Sequence, residues 1–252
     1  VTSPQQVTGS ALHASDIRKR FVVPGWLPGR PKATVDALNG IDLVVDPGTI
    51  HGVIGPNGSG KSTLLRVLAT LVLADGGQAS VAGHDVNTDA LEVRRAIGFS
   101  TGDERSMYWR LTARQNLEFA AALHRLADPD TAIAVSLTVA KLTDAADRPV
   151  SGYSQGMVRR LGLARALLHE PRVLLLDEPT RSLDPVARED FQQVLVGLRE
   201  HGAVTTLLTT HDLVEAETIC DAVSVIRGGR VIANLREADE PALEAALRTA
   251  PA

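Results

Sequence analysis

"GPNGSGKST", residues 55–63, follows the apolar run "IHGVI" and precedes "LLRVLATL". Its nine positions, Gly55, Pro56, Asn57, Gly58, Ser59, Gly60, Lys61, Ser62 and Thr63, contain G-x-x-x-x-G-K-[ST] in full. Glycines at this spacing let backbone amides turn inward around phosphate oxygens. A helix beginning where the loop ends adds the positive end of its dipole. Lys61 then reaches the β- and γ-phosphates of a nucleoside triphosphate, and Ser62 is placed to ligate Mg²⁺. A Gly-rich strand-to-helix turn carrying an incidental lysine is the bland alternative. The complete match in the right context argues against it.

Upstream, "GIDLVVDPGTIHGVIG" gives two β-like runs around Asp46-Pro47-Gly48, and the spacing predicts a hairpin whose second strand feeds the loop. Downstream, Leu64, Leu68 and Leu71 lie on one face of the expected helix. Further on, "VLLLDEP" (173–179) is an apolar strand ending in two carboxylates. Beside a phosphate loop, Asp177 would hold Mg²⁺ directly or through water. Glu178, one residue on, can face the γ-phosphate and polarise an attacking water. Adjacent Asp-Glu points to hydrolysis rather than phosphoryl transfer. "VLLLD" and "AVTTLLTT" are continuous apolar runs that suit parallel strands buried on both faces, and "VSVIRGGRVIANL" predicts a Gly228-Gly229 hairpin.

Between these runs the chain changes character. Thr112 and Gln115 form a capping box, and Phe119, Leu123 and Leu126 follow at i, i+4 and i+7, predicting an amphipathic helix over 112–126. More helix is expected to about residue 170, where Pro171 stops it. The fold class expected is α/β: a P-loop NTPase (RecA-like) core, an antiparallel β-subdomain and an inserted helical subdomain over about 101–170. Residues 1–14 read as an N-terminal tail, 15–240 as the domain and 241–252 as a C-terminal helix or tail. "PGWLPGRP", 24–31, reads as a loop.

Composition bounds the partners. Among 252 residues, 44% are apolar, enough for a sizeable core, and the net charge of −4 argues against a protein built to neutralise nucleic-acid phosphates. One cysteine, Cys220, makes no intramolecular disulfide, so a reducing cytoplasm is the natural expectation. No apolar run approaches the ~18 residues of a membrane span, and no charged-then-apolar leader is visible.

"YSQGM", 153–157, opens the helix that carries Met157, Leu161, Ala164 and Leu168 on one face. Ser154 can cap that helix while its hydroxyl and the Gly156 amide stay available to an anion. One helix N-terminus already serves a phosphate, so a second makes sense if it serves another copy's nucleotide.

With these segments in place, the chain resembles the ATP-binding-cassette (ABC) ATPases over about residues 15–235. Their signature segment is LSGGQ. "YSQGM" keeps its Ser and following Gly as Ser154 and Gly156, and departs at Gln155 and Met157. The resemblance implies that Ser154 and Gly156 complete the nucleotide site of a second copy in a head-to-tail ATP-sandwich dimer. It also implies that Asp184 of "SLD" touches the partner copy, with a helix cap before Pro185 as a compatible role. "TTH" would be the switch segment, placing His211 against the γ-phosphate, with Asp212 and Glu215 as a capping pair that starts the next helix. An adenine-stacking aromatic is expected before the first hairpin: Phe21, if it is not a core residue, with Trp26 as rival. The family's Q-loop Gln is absent, and Gly102, Asp103 or Glu104 falls at its position. "MYWR", 107–110, lies where the family docks its membrane-embedded subunit, unless it plugs its own lobe.

The implied activity is ATP hydrolysis with Glu178 as base and Mg²⁺ on Ser62 and Asp177. It would power a separate transmembrane permease subunit from the cytoplasmic face of the membrane. The Tyr-Ser-x-Gly-Met form resembles multicomponent exporters of drugs, lipids or polysaccharides. A soluble ABC-type ATPase of translation or DNA repair is the alternative; such proteins usually carry two cassettes or long coiled-coil arms. A P-loop GTPase or kinase lacks support, because no guanine-reading "NKxD" occurs.

Overall fold

The computed structural model describes residues 9–23, 33–102, 107–202, 204–236, 241, 245 and 246. β1 (Leu12–Val23) and β2 (Ala33–Val45) pair antiparallel, and alternate residues such as Ile17, Leu38, Ile41 and Leu43 are buried. This is the pattern of a sheet with one face on the core. β1 begins at Leu12, three residues inside the stretch expected as tail.

The hairpin expected at Asp46-Pro47-Gly48 does not form. β3 (Ile50–Ile54) leaves the first sheet and is buried at all five positions. A strand apolar on both faces needs cover on both, which a half-exposed sheet cannot give. The turn is tied elsewhere: the Gly48 N–H donates to Thr205 Oγ1 at 2.9 Å.

After β3 comes α1 (Lys61–Leu68), with Leu64 and Leu68 buried. The helix ends before Leu71, which is left exposed rather than on the buried face. β4 (Gly76–Val81) and β5 (His84–Asp85) return to the first sheet in the order β2-β1-β4-β5. α2 (Ala90–Ala96) leads into β6 (Ile97–Thr101).

The helical insertion holds α3 (Ala113–His124), α4 (Pro129–Val139), two 3₁₀ turns (Thr143–Ala145 and Val150–Gly152) and α5 (Gln155–Leu167). The capping box of α3 is complete: Thr112 Oγ1 accepts from the Gln115 N–H, and Gln115 Oε1 from the Thr112 N–H. Its buried face, however, is Ala113, Leu117, Ala120 and Ala121, while Phe119 and Leu123 face outward. Small alanines let α3 pack closely on its neighbours, and that contact outweighs the larger side chains one step round the helix. The insertion has its own core, in which Leu117, Ile133, Leu137 and Leu161 meet.

β7 (Val173–Asp177), α6 (Pro185–Glu200), β8 (Thr205–Thr210), α7 (Leu213–Ile219), β9 (Ala222–Arg227) and β10 (Arg230–Leu235) complete the chain. The second sheet runs β10-β9-β3-β8-β7-β6. β9, β3, β8, β7 and β6 are parallel, and β10 closes the edge as the expected Gly228-Gly229 hairpin. The central strands β3, β7 and β8 point their C-terminal ends, Ile54, Asp177 and Thr210, to one edge. In open parallel sheets this is where ligands bind.

Candidate nucleotide-binding site

The phosphate loop joins β3 to α1 at that edge. Gly60 has φ 109°, and a Cβ there would lie 2.4 Å from the Ala37 carbonyl oxygen, so only glycine lets the loop meet β2 this closely. Lys61 Nζ folds over the loop, donating to the carbonyls of Gly55 at 2.7 Å and Pro56 at 3.1 Å. Burial pushes the Lys61 pKa down, while the Glu178 and Asp177 carboxylates push it back up. Ser59 Oγ is buried without a hydrogen-bond partner, a polar atom left over for a ligand.

Across the loop, Asp177 ends β7 and is only 8% exposed. Its Oδ1 accepts from Ser62 Oγ and from Thr209 Oγ1, each at 2.8 Å. Its backbone carbonyl accepts from the Gly102 N–H at 3.0 Å. A hydroxyl and a carboxylate in contact at a phosphate loop are a hard-oxygen donor pair of the kind Mg²⁺ takes when phosphates and waters supply its other ligands. No cluster of three or more His, Cys, Asp or Glu occurs among the described residues, so a tight all-protein metal cage is not present there.

Glu178 follows directly and adopts φ 47°, in the left-handed region that non-glycine residues seldom take. β8 holds it there: the Glu178 N–H donates to the Thr209 carbonyl at 3.1 Å and to Thr209 Oγ1 at 3.0 Å. Its Oε1 lies 3.5 Å from His211 Nδ1, and its Oε2 accepts from Arg181 Nη1 at 3.1 Å.

The segment after β8 departs from expectation in one respect. Asp212 caps α7, accepting from the Glu215 N–H at 3.2 Å, but Glu215 does not reach back to complete the pair. Glu215 is 2% exposed and accepts from Thr180 Oγ1 at 2.6 Å, which ties the loop after β7 to α7. Asp212 also holds Arg188 at 2.6 Å.

A groove of about 830 Å³ runs over the loop, lined among others by Phe21, Ser59, Lys61, Gly102, Asp177 and Glu178. Phe21 is 39% exposed, so it is no core residue; its ring sits 5.5 Å from Lys19 Nζ. Trp26, Asp103 and Glu104 fall outside the described residues. Ser154 caps α5, accepting from the Met157 N–H at 3.3 Å. Gly156 packs against α6, where a Cβ would come 2.8 Å from Ala187 Cβ. Neither Ser154 nor Gly156 is among the described residues that line the groove. Asp184 caps α6, accepting from the Ala187 N–H at 2.9 Å.

Sequence reading passed over Thr209 and Arg181. Thr209 sits in the quoted "TTH" but reads as an ordinary strand residue until β7 and β8 pair in register at Asp177 and Thr209.

A second groove, of about 390 Å³, lies between α3 and the core and is lined by Leu71, Tyr108, Phe119, Leu123 and Arg165, among others. In "MYWR", Met107 plugs the insertion's own core, whereas Tyr108 and Trp109 stay exposed. Tyr108 meets Phe119 edge-to-face at 5.0 Å.

A phosphate loop, a strand-borne Asp-Glu pair and a helical insertion on a parallel sheet define a P-loop nucleotide-binding cassette. The chain belongs to the ABC transporter family, whose family model matches residues 38–181. It is 46% identical over 228 residues to the daunorubicin resistance ATP-binding protein DrrA2 of Streptomyces coeruleorubidus, covering 90% of this chain and 67% of that one. With DrrA3 of the same organism it shares 46% over 202 residues, covering 78% of this chain and 62% of that one. The chain thus spans about two thirds of the length of these relatives. Among solved structures, cbiO1 from Clostridium perfringens, part of the ABC transporter complex cbiONQ, matches with TM-score 0.78 and 25% identity over 90% of this chain and 89% of that one.

Proposed function

We propose that this chain is the ATP-hydrolysing subunit of an ABC exporter. Two copies would work head to tail and drive a separate membrane subunit from the cytoplasmic face. The carrying observation is the convergence at the phosphate loop of Asp177, bonded to Ser62, and Glu178, beside His211.

In this reading adenine stacks on the exposed face of Phe21, and the triphosphate lies on free backbone amides of the loop between Asn57 and Thr63. Lys61 leaves its own carbonyls to meet the β- and γ-oxygens. Mg²⁺, held by Ser62 and Asp177, would neutralise phosphate charge. Glu178 accepts the proton of the attacking water, and His211 steadies the carboxylate while facing the γ-phosphate. Thr209 ties the two acidic residues together through one hydroxyl, accepting from the Glu178 backbone N–H and donating to the Asp177 carboxylate.

The dimer reading is supported by Ser154 and Gly156 standing outside their own chain's groove, and by Ser154 being exposed at the start of α5, a helix N-terminus that suits another copy's phosphate. Asp184, at the start of α6, would meet that copy. The membrane partner would dock on the apolar groove edged by Tyr108, Phe119 and Leu123, since aromatic side chains bury much area at low entropic cost. None of the described helices is long and apolar enough to cross a membrane. The daunorubicin-resistance names of the relatives support a drug as cargo over lipid or polysaccharide.

Isolate the tagged chain from its host's membranes, identify the membrane protein that comes with it, and measure the complex's ATPase activity in vesicles. Stimulation by an amphipathic drug supports the proposal. Association with ribosomes or DNA, and not with a membrane protein, would replace it by the translation or repair reading.

A further inference from the structure

Both carboxylate oxygens of Glu178 face its own chain: Oε1 lies 3.5 Å from His211 Nδ1, and Oε2 accepts from Arg181 Nη1 at 3.1 Å. The arginine is fixed at short range. Its N–H closes a turn onto the Glu178 carbonyl at 3.2 Å, so the guanidinium starts only one turn from the carboxylate it holds. Arg181 is also among the residues lining the groove over the phosphate loop, and its side chain is 60% exposed on that side of the ion pair. Its charge is felt at Lys61, although burial is the largest influence on that lysine and the two carboxylates oppose it.

Resting on the reading of Glu178 as base, we propose that Arg181 is a counter-ion relay. It pairs with Glu178 in the nucleotide-free chain and transfers to the γ-phosphate when a triphosphate fills the groove. Two features favour the exchange. A γ-phosphate presents more charge and more acceptor oxygens than one carboxylate, and guanidinium binds both through the same planar fork. Solvent also reaches the pair from the arginine's side, 60% exposed against 13% for the carboxylate, so its opening is opposed less than that of a fully buried pair. The transfer frees Glu178 Oε2 for the water at the moment a triphosphate is present. A diphosphate, lacking the γ-group, leaves the pair closed. Arg181 therefore acts as a positioning residue that links the protonatable base to nucleotide state. No covalent step is involved.

The test compares full-length wild type, Arg181→Ala and Arg181→Lys by calorimetric titration with Mg²⁺ and either a non-hydrolysable ATP analogue or ADP. Arg181 is exposed, so the variants should fold, and their thermal melting checks this. Arg181→Ala should bind the analogue about tenfold more weakly, the effect of one lost charge-assisted contact, and ADP within about twofold of wild type. Arg181→Lys should recover most of the difference. In steady-state hydrolysis, KM should rise about tenfold with kcat kept within about threefold, because the pair is already open at saturation. Equal losses for the two nucleotides, or no loss, would overturn the relay. So would a large fall in kcat at unchanged KM, which would make Arg181 a fixed support for Glu178. These binding measurements do not depend on Glu178 being the base; that reading fails separately if Glu178→Gln hydrolyses ATP normally.

Discussion

Ser62 and Asp177 lie 115 positions apart in sequence, yet Ser62 Oγ donates to Asp177 Oδ1 at 2.8 Å. The contact closes the phosphate loop onto the end of β7. It brings together the hydroxyl and the carboxylate that the proposed Mg²⁺ would use.

Lys61→Ala should remove productive ATP binding. Lys61 is 5% exposed and supplies the positive charge nearest the loop carbonyls, so its loss should weaken affinity by well over tenfold, more than about 1.4 kcal/mol. Fluorescent-nucleotide titration and phosphate release measure both effects. Near-normal ATPase activity would remove the phosphate-loop assignment.

Glu178→Gln keeps the shape of the side chain but cannot accept a proton. Hydrolysis should fall by about 10²-fold or more, with ATP still bound and the closed dimer accumulating. Size-exclusion chromatography with ATP reads the dimer. A wild-type rate would show that another group takes the proton.

Ser154→Arg and Lys61→Ala, on separate chains, should complement each other. The mixed head-to-tail dimer has one site with both lesions and one with neither, so activity should partly return. When a chain carrying both changes is mixed with wild type, each mixed dimer has a lesion in each site, so activity should not exceed that of the remaining wild-type homodimers. The reverse pattern would mean that Ser154 serves its own chain's nucleotide.

His51 should make the fold acid-sensitive. It is 6% exposed, its Nε2 is 2.9 Å from Ser224 Oγ, and Ser224 in turn donates to Asn234. Burial pushes its pKa down to about 4, with Asp46 opposing slightly. Because the folded pKa lies below the unfolded value, the stability is fully present above about pH 6.5 and is lost as pH falls toward 4. The loss approaches about 3 kcal/mol, at 1.36 kcal/mol per pKa unit. Urea unfolding of wild type and His51→Gln between pH 7 and 4 checks this: the variant should show a shallower slope, and equal slopes would assign the acid loss elsewhere.

Gly98→Ala should loosen the helical insertion. A Cβ at Gly98 would come 2.2 Å from the Ala166 carbonyl oxygen, which is backbone and cannot swing aside, so α5 would have to lift from β6. A cost of about 1–3 kcal/mol is expected on urea unfolding. An unchanged midpoint would mean that α5 moves freely.

The phosphate loop, the Asp177–Glu178 pair, the caps of α3, α5 and α6 and the buried parallel strands were legible in the sequence. Each depends on short-range rules: turn chemistry, capping geometry and apolar runs a few residues long. Other features depended on which surfaces met. Asp46-Pro47-Gly48 has the chemistry of a hairpin, but β3 was drawn between β8 and β9 because its two apolar faces needed cover. Phe119 and Leu123 looked like a core stripe until the alanine face of α3 took the contact. Arg181 and Thr209 carry no motif of their own. The exposed arginine and the strand threonine acquire roles only because the turn after β7 and the register of β8 bring them to Glu178. Local chemistry is written in neighbouring residues, whereas the company a side chain keeps across a sheet is settled by the packing of the whole chain.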